Sequence, residues 1–328
     1  MMVPKIINLK HLDMKNSIGY FIILLILPFM GYAQEGSEET TETSKKPKEK
    51  LERAAFESSY IIDNQTDVVL GKNALEVMFQ HRFGLIEDWG DFYGIWGAAN
   101  IRIGASYGVH ERVTLGFGTT KNRRYQDLNW KVALLRQTRE DKMPVNLTYY
   151  GNFVYDARKQ DPTNVPPINY HQDRYSYFNQ LILSRRFNSK LSLQFTTSWS
   201  HYNTVYGPDL EKDYEGMDND VFAISFSGRY KVTSNTAIVV DYSQPLSSYD
   251  LYNTQSLIPG TDPQMYEYKS LKPGFSLGFE FGTSGHAFQV FVSNNWGIVN
   301  QDNYMWNTND FFSGDILLGF NMTRVYNF

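Results

Sequence analysis

From residue 74 to the carboxyl terminus, short and long connections alternate strictly, and the twelve segments they join repeat with a period of two. The first of these, residues 74–83, sets Leu75, Val77 and Phe79 against Glu76, Met78, Gln80 and Arg82. Such a repeat belongs to a strand with one apolar and one polar face. Residues 100–109, 113–119, 127–137, 145–155, 174–187, 191–201, 221–230, 236–243, 275–281, 286–294 and 316–328 continue it. Five connections are tight, at 110–112, 139–143, 188–190, 233–235 and 284–285, and several carry Asn, Ser or Gly, the usual turn residues. The others, at 84–94, 121–126, 157–172, 203–219, 247–271 and 296–313, are mostly long. A soluble sandwich has no reason to sort its loops this way. An all-β, transmembrane, antiparallel up-and-down β-barrel does, because its short turns face the periplasm and its long loops face outside. About twelve strands, an even number, with both termini periplasmic, fit every connection.

The last segment supplies the closure. Ile316, Leu318, Phe320 and Met322 lie on one face, and Gly319, Asn321 and Thr323 lie between them. The pattern runs on to Phe328, although chain ends usually fray. In a barrel this strand pairs with residues 74–83 and removes the exposed edge. Phe320, Tyr326 and Phe328 are then expected to form the terminal signal read by the barrel-assembly machinery. Aromatic residues make up 16% of the chain, which suits interfacial girdles. A mean hydropathy of -0.42 excludes a helical membrane protein but not a barrel, whose lumenal residues are polar. With no cysteine, disulfides and thiolate-bound metals are excluded. The net charge of -4 gives no footprint for nucleic acid.

The amino-terminal stretch indicates the compartment. Lys15 precedes an apolar run over 18–30, and Gly31-Tyr32-Ala33 provides small residues for cleavage. Residues 1–33 read as a signal peptide cut before Gln34, with Met14 as an alternative start. The run is too short for a spanning helix. Residues 34–55 form a charged periplasmic tail, too poor in apolar residues to order itself. Residues 56–72 become apolar without clean alternation and read as a lead-in or a plug, and residues 73–328 as the barrel. The expected location is the outer membrane of a Gram-negative bacterium, with membrane lipid as the main partner.

The alternation also sorts the charged residues. Glu76, Asp127, Asp241 and Glu280 fall inside, with Arg82, Arg102, Lys131 and Arg229. A charge-selective pore would carry one sign in excess. A balanced set points either to ion pairs filling the interior or to the constriction of a thin water path. In the outer loop at 209–220, Glu211, Asp213 and Glu215 followed by Gly216 look like the start of a calcium loop. The twelfth position is Phe222, where a bidentate glutamate is needed, so a solvated acidic loop is the simpler reading and metal binding a weak one. Catalysis is not expected. Ser200 and His201 point to opposite faces of a strand, and no Gly-x-Ser-x-Gly occurs. No cofactor is implied. Trp89 and Trp306 sit at loop tips, where they suit the outer girdle or a ligand, and Tyr202 belongs with the girdle.

Several segments carry a family resemblance: Ile62-Asp63-Asn64-Gln65-Thr66, residues 75–84, Asn100-Ile101-Arg102-Ile103-Gly104, residues 116–122, His286-Ala287-Phe288-Gln289 and residues 319–324. Over residues 56–328 the chain resembles an uncharacterised outer-membrane β-barrel family, a domain of unknown function typical of Bacteroidetes. The resemblance implies an outer-membrane barrel and no activity or site residues. The expected role is a monomeric, narrow, passive channel for small solutes. The alternative is a non-conducting scaffold or surface-binding barrel in an envelope complex, with an envelope protein as partner.

Overall fold

The computed structural model describes residues 50–328 apart from 87–89, 91, 163, 165, 207–215, 253–267 and 284. Glu211, Asp213, Glu215 and Trp89 therefore lie outside the described residues, as do the signal peptide and most of the charged tail.

Twelve antiparallel strands form one closed barrel. They are β3 (Ala74–Leu85), β4 (Asn100–His110), β5 (Val113–Thr120), β6 (Tyr125–Leu135), β7 (Asn146–Asp156), β8 (Tyr175–Arg186), β9 (Leu191–Tyr202), β10 (Asp220–Lys231), β11 (Thr236–Pro245), β14 (Gly274–Gly282), β15 (His286–Ser293) and β16 (Leu317–Asn327). Each pairs with the next in sequence, and β16 closes on β3 with Asn321 opposite Gln80 and Phe320 opposite His81. The strands are 8 to 12 residues long, close to the roughly nine to eleven that a tilted strand needs to cross a bilayer.

The period of two becomes two surfaces. Ile103, Leu115, Leu128, Phe222, Phe279 and their equivalents stay exposed on the outer face. A soluble protein rarely exposes so continuous an apolar surface, whereas a spanning barrel needs it as a lipid belt. The alternate residues are buried and polar. On β9 they are Ser192, Gln194, Thr196, Ser198 and Ser200. Gly151 of β7 lies beneath the Trp130 ring, which would sit 2.3 Å from an added Cβ, so the indole covers the gap that the glycine leaves. The ladder of β6 and β7 shifts between Ala133 and Leu135, and β6 ends there rather than at Gln137.

Two features depart from the expected plan. A small ribbon of β12 (Asp250–Tyr252) and β13 (Tyr268–Ser270) stands within the connection from β11 to β14. The last long connection does not simply project outward: it forms a short helix, α1 (Asn300–Met305), with all six residues buried.

Candidate functional site: the filled lumen

Residues 55–67 run inside the barrel, nearly all of them buried. They form a hairpin of β1 (Tyr60–Ile61) and β2 (Asn64–Gln65), with Ile62 at φ 52 in the tight turn. Two-residue strands cannot stand alone, so the lumen wall must hold them. On the apolar side, Phe56, Ile61 and Ile62 pack with Val239 and Phe291 of the wall.

The polar side is anchored residue by residue. Lys131 Nζ donates to the carbonyls of Ser59 and Thr66, both at 3.0 Å, and so grips both arms of the hairpin. Glu76 accepts from the Ser59 hydroxyl. Gln289 brackets β1, donating to Tyr60 O at 3.0 Å and accepting from Ile62 N at 3.1 Å. Arg82 pairs with Asp63 at 2.9 Å. The other Asp63 oxygen accepts from Ser276, Ser293 and Asn295 at 2.6 to 3.1 Å. Asp241 accepts from Asn64 at 2.9 Å and Ser227 at 2.8 Å.

The eight charged residues assigned inward are all buried. Only four of them pair with one another: Arg102 with Asp127 at 2.8 Å, and Arg229 with Glu280 at 2.6 Å. Arg229 also reaches Glu57 at 3.2 Å. Glu76, Arg82, Lys131 and Asp241 instead bind the inner hairpin. Asp63, Asn64 and Ser59 were not among the assigned residues, because a turn of two-residue strands has no periodicity to read. The signal that could have found them is Asp63-Asn64-Gln65-Thr66 itself, a polar run inside an otherwise apolar lead-in.

From the opposite end comes α1. Asn300 Nδ2 donates to Asp63 O at 3.0 Å, and the Tyr304 hydroxyl donates to Asn64 at 2.7 Å. The Tyr304 ring stacks on Phe178 with centroids 5.6 Å apart. Asp302 accepts from Tyr202 at 2.6 Å and Tyr125 at 3.3 Å. Arg123 lies 3.6 Å from the same carboxylate and 4.4 Å over the Trp306 ring. This corrects two expectations. Trp306 is not a projecting loop tip, because Tyr202, Tyr206 and Arg123 pack around it. Tyr202 is not in the girdle, because it is buried on the lumenal side, hydrogen-bonded to Asp302. Both inner segments thus meet at Asp63 and Asn64. Beside the hairpin, Ser59, Gln65, Glu76, Arg102 and Lys131 line a cavity of ≈ 20 Å³, little more than one water requires.

Asp67 lies at the end of the hairpin segment. Burial pushes its carboxyl above the ordinary range, against the opposing pull of a Ser184 hydrogen bond and the Lys131 charge. The folded protein therefore keeps this proton at a pH where the unfolded chain has released it. Its contribution favours docking as pH falls through the raised value and opposes docking above it. Asp67→Asn is expected to slow hydrogen exchange of the hairpin amides at pH 7 and to lose that advantage in acid. Equal rates in variant and wild type at both pH values would refute the burial argument.

At the seam, Phe320 faces outward, stacked on His81 with centroids 5.2 Å apart and flanked by Phe79 and Phe288. Tyr326 is exposed, with Arg324 4.8 Å from its ring, and Phe328 is 83% exposed. Among the described residues, no group of three or more Asp, Glu or His side chains could hold a metal ion.

A family of membrane-bound barrels matches most of the chain. The family model described as membrane bound beta barrel domain (DUF5777) matches residues 56–326. No curated protein matches the chain. Among solved structures, the NanC porin is 10% identical, with 77% of this chain and 99% of that chain covered at a TM-score of 0.42. LpxR from Salmonella typhimurium is 11% identical, with 78% and 100% covered at 0.35. OmpT of Vibrio cholerae, expressed in the outer membrane, is 12% identical, with 78% of each chain covered at 0.34. A closed barrel with an apolar outer belt and a membrane-bound family sits in the outer membrane of a Gram-negative cell.

Proposed function

Because the chain belongs to the membrane bound beta barrel domain family, we propose that it is a narrow channel for small solutes, held closed at rest by its own two inner segments. One observation carries this reading: the hairpin turn meets α1 through Asp63–Asn300 and Asn64–Tyr304, inside a wall that stays polar along β9. A barrel meant only to be solid gains more from an apolar filling than from buried polar groups, each of which needs a partner. Here the contacts between the hairpin turn and the helix, Asp63–Asn300 and Asn64–Tyr304, are hydrogen bonds that water can replace. Twelve strands enclose a lumen between the filled interior of small barrels and the open channel of large porins. Withdrawing the segments would leave a thin water path with Arg102–Asp127 and Arg229–Glu280 on its wall.

The test is conductance in planar bilayers. Refolded full-length protein is expected to be silent or to open rarely. Deleting residues 34–72 and replacing 298–306 with a short Gly-Ser loop should give steady conductance. A folded barrel that stays silent with both segments removed would overturn the channel and favour the non-conducting scaffold, whose long outer loops would hold an envelope protein.

The chain end carries a separate proposal. Phe328, with Tyr326 and Phe320, serves as the signal for the barrel-assembly machinery. Phe328 is 83% exposed, so deleting it removes little packing. The purified truncation should unfold within about 0.5 kcal/mol of wild type, yet insert poorly into the outer membrane of cells. Normal surface assembly of the truncation would refute the signal.

A further inference from the structure

A second site lies at the periplasmic rim, outside the lumen. Residues 50–53 run along the connection between β6 and β7, with Glu52 N donating to Gln137 O at 2.8 Å and Arg139 N to Lys50 O at 3.0 Å. Together with the periplasmic end of β8 and its turn, they enclose a cleft of ≈ 420 Å³. Arg53, Arg139, Arg185 and Arg186 line it, against Glu52 and Asp141. The arginines outnumber the carboxylates by two, although the chain as a whole is acidic.

The cations are only partly used. Arg186 is 3.8 Å from Glu52, a long contact, and donates to Ala54 O at 3.3 Å. Arg185 reaches Asp141 at 3.2 Å through one terminal nitrogen, while its buried Nε has no acceptor. Four guanidinium groups facing two carboxylates leave donors to spare for an oxyanion, since the planar fork matches phosphate with two parallel donors. Position narrows the source. Leu181, Leu183, Arg185 and Phe187 share the lipid-facing register, and β8 ends here on a short periplasmic turn. Arg185 thus sits where the head groups of the inner leaflet begin, with the exposed Phe187 ring 5.5 Å from its guanidinium and turned to the membrane side.

We propose that this cleft binds a phosphate group, and that a phospholipid head group of the inner leaflet supplies it. Arg185 and Arg53 hold the phosphate oxygens, Phe187 lies against the glycerol and acyl carbons, and Asp141 competes for Arg185. The test uses full-length protein in maltoside detergent, with dihexanoyl phosphatidylglycerol and inorganic phosphate as separate probes in titration calorimetry. Phosphatidylglycerol is expected to bind, weakening as salt rises. Arg185→Gln should lower its affinity by about tenfold. Asp141→Asn should raise it severalfold, a gain that misfolding cannot mimic. Inorganic phosphate binding as tightly as the lipid would support the phosphate site and make free phosphate its source. No binding of either probe, or equal affinities in wild type and both variants, would overturn the proposal.

Discussion

Replacing Arg82 with alanine is expected to cost about 3–5 kcal/mol of stability, a large effect for a single side chain in this barrel. Arg82 has a relative exposure of 0% and joins three parts of the chain. From β3 it holds Asp63 of the hairpin at 2.9 Å and the Ile62 carbonyl at 3.3 Å. It also donates to Asn321 of the closing strand at 3.0 Å, and its guanidinium lies 4.5 Å from the centroid of the Phe291 ring. Truncation leaves the Asp63 carboxylate buried without its cation, and the neutral donors Ser276, Ser293 and Asn295 only partly offset that. Removing both charges is a different matter. Buried ion pairs replaced together by well-fitted neutral groups are often close to neutral in stability. Arg82→Met with Asp63→Asn should therefore recover most of what Arg82→Ala loses. Denaturant unfolding of refolded barrel in detergent measures all three proteins. A loss below about 1 kcal/mol for Arg82→Ala, or a double variant no better than the single one, would show that the pair does not bear the hairpin.

The wall of this barrel was legible in the sequence and its contents were not, for one physical reason. Alternation reports which side of a strand faces lipid. It assigned Glu76, Gln80 and Arg82 inward on β3 and Leu318, Phe320 and Met322 outward on β16, and the ladder between them follows. It carries no information on what the inward side chains touch. The partners of Arg82 and Lys131 come from a hairpin whose strands are two residues long. Asn300-Gln301-Asp302-Asn303 has the composition of a solvated outer loop, because a polar lumen rewards the same residues as water does. The apolar residues that flank or end this stretch, Ile298, Val299, Tyr304 and Met305, are all buried. The balance of inward charge was visible, but which charges pair across the wall and which bind the inner hairpin depends on three-dimensional position. The chemistry of the acidic loop stays as the sequence states it, since Glu211, Asp213 and Glu215 lie outside the described residues.

Truncating Tyr304 to alanine is expected to release α1 from the lumen while the barrel stays folded. Six residues are too few for a helix to persist in water, so α1 is held by tertiary contacts. Tyr304 provides the largest of them. Its ring is buried with Tyr150, Phe178, Ile182 and Ala223, and its hydroxyl donates to Asn64 at 2.7 Å. Losing a buried aromatic of this kind costs about 3–5 kcal/mol, enough to turn a docked loop into one that opens locally. Hydrogen exchange over residues 298–306 should accelerate strongly, with exchange in the strands unchanged. Tyr304→Phe keeps the stacking on Phe178 and should lose only about 1 kcal/mol, the value of one hydrogen bond. Because the hydroxyl meets Asn64, Asn64→Ala should not add independently to Tyr304→Ala. A coupling of about 0.5–3 kcal/mol is expected, and an additive pair would mean that hairpin and helix are held separately. The same variant bears on the channel. If α1 closes the outer half of the path, Tyr304→Ala should open the barrel in bilayers more often than Tyr304→Phe does. Released exchange with conductance no greater than wild type would place the closure in the hairpin alone.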